Sequence, residues 1–188
     1  LFDVVDGPGG DDASIRPNQL LAVSLPGGPL PVEAGLRAVV TCREELLTPL
    51  GLRSLSPRDP AYQGRYGGNV VARDRAYHNG CVFPWLIGPF VTAHLKVNGR
   101  GEKTRAAAMK FLDASIAHIR GNGLGHLREL FEGDAPHAAK AGIASLRNTA
   151  EILRAYVEEI LDLGPRTPQP TPPTELTVAA PPKLAAKR

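Results

Sequence analysis

The residues of this chain best suited to chemistry are three carboxylates and a run of mixed aromatic and charged side chains. Glu129, Glu132 and Asp134 lie in "GHLRELFEGDAPH", residues 125–137, interleaved with Leu127, Leu130 and Phe131. Apolar neighbours fix a carboxylate's direction and desolvate it, and one ordered Glu is what a general base needs to take a proton from water. A solvated acidic loop is the simpler reading of the same composition.

The second group is "RDRAYHNGCVFPWLIGPF", residues 73–90, which brings Asp74, Tyr77, His78, Phe83 and Trp85 close together in sequence. A core needs the aromatics but not the charges, and a solvated loop needs the reverse. A wall that holds a polar, flat-faced ligand needs both. Aromatic faces stack on the apolar faces of sugar rings, while Arg and Asp hydrogen-bond hydroxyls, and ligand pockets are mostly apolar with a few placed polar groups. Taken singly, Trp85 and Phe83 also fit a core, and His78 a buried, hydrogen-bonded histidine. Arg16 and Asn18 flank Pro17 at a helix start, as caps or as cleft residues. Arg65 and Tyr66 sit in the irregular "SPRDPAYQGRYGGN", residues 56–69.

Other patterns fail on context. "GNGLGH" resembles a phosphate-binding loop but follows a helix rather than a strand. "DVVDGPGGDD" lacks the ligand spacing of a calcium loop. Cys42 and Cys81 form no C-x-x-C pair and have no His at zinc spacing, so neither a metal nor another cofactor is expected. Reduced thiols suit a cytoplasmic protein better than a secreted one.

Helices must position these groups. Apolar spacing predicts helices over residues 17–25, 32–47, 84–97, 104–119 and 142–163, the second closed off by Pro49 and Gly51 after residue 47. Thr104 is expected to cap the fourth. The last carries a stripe of Ile143, Leu146, Ala150, Leu153, Val157 and Ile160. No segment alternates with period two, so the body is expected to be all-α. The stretch from Leu47 to Pro84 far exceeds the roughly 2–8 residues of an ordinary helix connection, and long loops on a helical scaffold commonly carry function.

The 188 residues are 43% hydrophobic, enough for one globular domain, with no apolar run near the roughly 20 residues of a membrane span. The chain opens at Leu1 without a methionine, as expected of a processed form or a fragment. Of its 22 basic and 19 acidic residues, four basic and one acidic follow Gly164, leaving 18 of each in the body. A neutral body offers no footprint for nucleic acid. Residues 164–188 hold seven of the 18 prolines and read as a disordered tail after a domain at 1–163.

Four segments, "DASIRPNQLLAVSLP", "LTPLGLRSLSPRDPAYQGRYGG", "RDRAYHNGCVFPWLIGPFVTAHL" and "GLGHLRELFEGDAPH…AEILRAY", occur in the order in which similar ones run in the C-terminal glucosidase domain of glycogen debranching enzymes. The body resembles that family along nearly its whole length. The resemblance implies the second half of an (α/α)6 toroid with long pocket-forming loops. It also implies hydrolysis of α-1,6-linked glucose at branch points of glycogen or a limit dextrin, with inversion. Inverting enzymes pair an acid with a base about 6.5–9.5 Å away, leaving room for the attacking water.

By that resemblance Glu129 is the base, and the acid lies upstream of this chain, in a missing N-terminal half of the same domain. His78, Asp74, Tyr77 and Trp85 would shape the glucose subsite, with Arg16, Asn18, Arg65 and Tyr66 as further pocket residues. The chain alone is then expected to be inactive and to expose apolar helix faces. Two departures are visible. Arg147 stands where the family usually has an aromatic, and Phe83 where it has a Trp. A trehalase or glucoamylase relative, or a non-catalytic carbohydrate-binding helical module, are the competing expectations.

Overall fold

Apolar spacing marks the helices that pack first, and one of them is apolar on nearly every side. In the computed structural model, which describes residues 1–164, α1 (Asn18–Ser24), α2 (Val32–Glu45) and α4 (Ile87–Asn98) pack against one another. Ile87, Phe90, Val91, Ala93 and Leu95 of α4 are buried, which makes it the central helix. Leu20 of α1 and Val39, Cys42 and Leu46 on and just after α2 close over it. Pro84 opens a 3-10 turn (Pro84–Leu86) ahead of α4, where a missing N–H costs nothing. The start of α4 therefore comes directly out of the aromatic segment.

Short strands join this helical layer to the loops, and they correct the all-α expectation. A five-stranded antiparallel meander runs β3 (Leu47–Thr48), β4 (Gly51–Arg53), β5 (Val82–Phe83), β6 (Leu130–Phe131) and β7 (Ala139–Lys140). Leu52 pairs with Phe83, Val82 with Phe131, and Phe131 with Ala139. Strands of two or three residues cannot show a period of two, so the spacing carries no signal of them. Gly51 has φ 149°, and a Cβ there would lie 2.5 Å from the Phe83 carbonyl oxygen; only glycine lets β4 approach β5 so closely. A separate hairpin, β1 (Val4–Gly7) and β2 (Gly10–Asp12), precedes the helices.

Three helix expectations also need correction. The 47–84 stretch contains α3 (Val70–His78), whose Asn69 side chain caps it by accepting from the Ala72 N–H at 2.9 Å. Of α3 only Ala76 is buried, so no apolar stripe announced it. The 104–119 helix is two, α5 (Glu102–Met109) and α6 (Asp113–Arg120), and the first begins after Gly101 rather than at Thr104. They separate because Phe111 and Leu112 both turn inward, Phe111 edge-on to Phe90 at 5.1 Å. Successive residues sit about 100° apart on a helix, so burying both favours a turn.

The last segment is α7 (Leu146–Arg154) followed by a π-helical turn (Ala155–Ile160), and it presents the opposite face from the one expected. Asn148, Ile152, Ala155 and Glu159 point inward, whereas Ile143, Leu146 and Leu153 are 69%, 84% and 61% exposed. Polar groups decide the facing. Glu159 accepts from the Thr92 hydroxyl of α4 at 2.7 Å and meets Arg154 at 3.5 Å. Burial is the largest influence on Arg154 and disfavours its charge, yet Glu151 and Glu158 together hold its pKa above the ordinary value. On α2, Val32, Leu36 and Val40 form a second bare stripe, 74%, 40% and 43% exposed. The expected tail lies, from residue 165 on, outside the described residues.

Both cysteines are free and buried, and burial pushes each thiol up to about 12, so neither is a reactive nucleophile. No helix among the described residues is long and apolar enough to cross a membrane. Burial also depresses the His94 imidazole, with Arg43 adding to the effect. His94 stays neutral in the folded chain at a pH where the unfolded chain has begun to take up a proton. Its contribution to stability is therefore full above the unfolded value near pH ~6.5 and lost as pH falls through the lower folded value. The melting temperature should be lower at pH 5.5 than at pH 7.5, and His94→Phe should narrow that gap. An unchanged gap would contradict this assignment.

Candidate functional site

A cavity of about 250 Å³ opens where the start of α1, the end of α3, the β5–α4 junction and the start of α7 meet. Five of the residues expected at a site line it: Arg16, Asn18, Tyr77, His78 and Trp85. Phe83 supplies part of the floor, and its ring stands edge-on to Tyr77 at 4.8 Å. Tyr77 in turn meets His78 edge-on at 5.1 Å. These aromatics converge because β5 feeds straight into the Pro84 turn while α3 ends beside it. The volume is just under the roughly 300–1,000 Å³ of drug-sized pockets, which suits one sugar ring rather than a chain.

Arg16 and Asn18 are struts as much as lining. Arg16 donates to the Ser54 and His78 carbonyls at 3.2 and 2.7 Å and to Asn79 Oδ1 at 3.0 Å. Asn18 donates to Asp3 at 2.8 Å. Ser54, which sequence reasoning overlooked, accepts the Gly80 N–H at 2.8 Å and donates to the Tyr77 carbonyl at 3.2 Å, tying β4 to the end of α3. A lone serine in a loop gave no signal of that role. Asp74 lies on the exposed side of α3 and reaches the cavity only through His78, 3.8 Å away.

Arg65 and Tyr66 belong elsewhere. Arg65 pairs with Glu132 at 3.2 Å and with Asp134 at 3.3 Å, and the Tyr66 N–H donates to Glu132 at 3.3 Å. Lys140 completes the cluster at 3.4 Å from Glu132. Both Glu132 oxygens are thus taken by protein donors in a buried setting, so Glu132 pins the 64–66 strap to β6 and β7. Asp134 accepts from the Tyr62 hydroxyl at 3.0 Å. That phenol is raised by burial first and by the Asp134 carboxylate second.

Glu129 is half-buried and is not among the residues lining the cavity. It immediately precedes β6, and Trp85 follows β5 by two residues. Since β5 and β6 run antiparallel through Val82 and Phe131, the chain delivers both residues to the same end of that strand pair. Glu129 is held by backbone: its N–H donates to the Gly142 carbonyl at 3.0 Å, and the Gly142 N–H donates to its Oε2 at 3.1 Å. No protein donor among the described residues reaches Oε1. Of the two candidate carboxylates, Glu129 therefore keeps an oxygen for water and Glu132 does not.

Asn148 supports the same segment. Fully buried, it donates from Nδ2 to the carbonyls of Arg128 and Glu129 at 2.6 and 2.9 Å. Its Oδ1 has no partner in the described structure. Asn148 lies off the expected apolar stripe, and nothing in its type or spacing signals this role. Its neighbour Arg147 lies over Trp85, with Cζ 5.3 Å from the ring centroid, a cation–π contact worth about 0.5–1 kcal/mol when exposed. Arg147 and Phe83, the two positions expected to depart from the resembled pattern, both line the cavity. Among the described residues no cluster of three or more His, Cys, Asp or Glu is placed to hold a metal ion.

Comparison with known proteins identifies the family of the chain. Residues 1–154 match the family model described as amylo-alpha-1,6-glucosidase. The glycogen debranching enzyme of Saccharomyces cerevisiae is 27% identical over 148 residues, covering 73% of this chain and 9% of that protein. The chain spans only that small share of the curated relative.

Proposed function

The chain belongs to the amylo-alpha-1,6-glucosidase family, and from that premise we propose that it supplies the base-bearing part of a glycogen-debranching glucosidase. The reaction is hydrolysis of α-1,6-linked glucose at branch points of glycogen or a related α-glucan. The architecture is an (α/α)6 toroid, of which residues 1–163 form the C-terminal part. Upstream helices of the same domain cover the bare stripes on α2 and α7 and carry the general acid.

In this mechanism the terminal glucose lies against Trp85 and Phe83, with Tyr77 and His78 at its edge. Glu129 Oε1 takes a proton from a water on the face opposite the departing oxygen, while the acid protonates that oxygen. The water oxygen bonds to the anomeric carbon as the glycosidic bond to the departing oxygen breaks, and the anomeric centre inverts. The observation that carries the proposal is Glu129 fixed at Oε2 by the Gly142 N–H, with Oε1 left without a protein donor. Asp74, one turn before His78, orients that imidazole.

One observation favours a second reading: no carboxylate lines the cavity itself. A non-catalytic glucan-binding module would have such a cavity. Rates on a branched limit dextrin and on trehalose, measured with this chain joined to its upstream part, separate the possibilities. Turnover of the dextrin well above that of trehalose is expected. Preference for trehalose would point to another sugar enzyme of the same architecture, and glucan binding without turnover of either would favour the binding module.

A further inference from the structure

The walls of the cavity carry three basic side chains and no acidic one. Their charges are not equally available. The Arg16 guanidinium is committed to three acceptors and lies 3.7 Å from the Asp3 carboxylate. His78 has Asp74 at 3.8 Å. Arg147 is exposed, lies over the Trp85 ring with its Cζ 5.3 Å from the centroid, and pairs with no carboxylate among the described residues. A guanidinium placed over an indole keeps its N–H donors at its edge, free to form a two-pronged contact with a phosphate or carboxylate.

We propose that this cavity binds a glucosyl ring bearing an anionic substituent, a phosphate ester above all, with the ring against Trp85 and the anion on Arg147. The proposal rests on the carbohydrate reading of the site and adds to it the charge class of the ligand. It makes Arg147 a specificity-determining residue. A neutral glucose would use the sugar subsite without gaining from the Arg147 charge.

Trp85 is the sole tryptophan of the chain, so its emission reports on this cavity directly. Titrations of the 188-residue chain, at concentrations where light scattering shows it monomeric, would use glucose 6-phosphate, glucose and inorganic phosphate, each at low salt and at 0.5 M NaCl. Glucose 6-phosphate is expected to bind at least about tenfold more tightly than glucose or phosphate, and high salt should narrow its gap to glucose. Arg147→Gln should bring glucose 6-phosphate to the level of glucose, and Arg147→Lys should restore part of the difference. Circular dichroism of both variants checks that the exposed substitutions leave the helices intact. Equal affinity for glucose and its phosphate would overturn the anion assignment while leaving the sugar subsite standing. Inorganic phosphate binding as tightly as the sugar phosphate would remove the sugar from the proposal. No response to any of the three would overturn this inference and the subsite together.

Discussion

Glu129→Gln, introduced into the enzyme that joins this chain to the rest of its domain, is expected to lower kcat by about 10²–10⁴-fold with little change in KM. Gln keeps the size of Glu and retains a carbonyl oxygen for the Gly142 N–H now donated to Oε2. What it loses is the capacity to accept a proton from water. KM should hold because Glu129 is not among the residues lining the cavity. Glu132→Gln makes a contrasting control. It weakens the ties to Arg65 and Lys140, so it should melt earlier while the folded enzyme keeps its kcat. A kcat loss of similar size in Glu132→Gln, with Glu129→Gln near normal, would transfer the role of base.

The second large effect concerns the chain by itself. Purified without the upstream part proposed for its domain, it is expected to show no glucosidase turnover. Hydrolysis needs an acid opposite the base, and no carboxylate lines the cavity to serve as one. The chain should also self-associate. Val32, Leu36 and Val40 on α2, with Leu146 and Leu153 on α7, leave two apolar stripes to water. Full burial of such side chains is worth roughly 1.5–3 kcal/mol each. Light scattering should report association, and adding the upstream polypeptide should suppress it and restore turnover. Debranching by the lone, monodisperse chain would contradict both halves of this expectation.

How far the sequence anticipates the structure depends on what each residue's signal measures. α1, α2 and α4 follow from apolar spacing because burial is what forms them. The strands do not, since pairs such as Val82 with Phe131 are set by partners nearly fifty residues away and span too few residues to alternate. α3 is hidden because most of its residues are exposed and its end serves the cavity. α7 shows the sharper failure. Its apolar stripe is evident, but half-buried Arg154 and buried Glu159, paired with Thr92 and Arg100, turn the other face inward.

The site divides in the same way. Trp85, Tyr77, His78, Arg16 and Asn18 are recognisable by type, and the fold brings them to one cavity. Arg65 and Tyr66 look alike in sequence but serve the Glu132 cluster. Nothing in their types distinguishes a sugar contact from a salt bridge; only the position of Glu132 does. Arg147 is visible in the sequence only as a departure from the resembled pattern, whereas the fold stands it over Trp85.

The most direct test of Glu129 as the base is hydrolysis of α-glucosyl fluoride by Glu129→Gln in the complete enzyme. Fluoride departs without needing an acid to protonate a glycosidic oxygen, so activation of water becomes the step that the enzyme must supply. The variant is predicted to stay at least about 10²-fold slower than its parent on this substrate. Turnover restored to the parental rate would show that Glu129 does something other than deprotonate water.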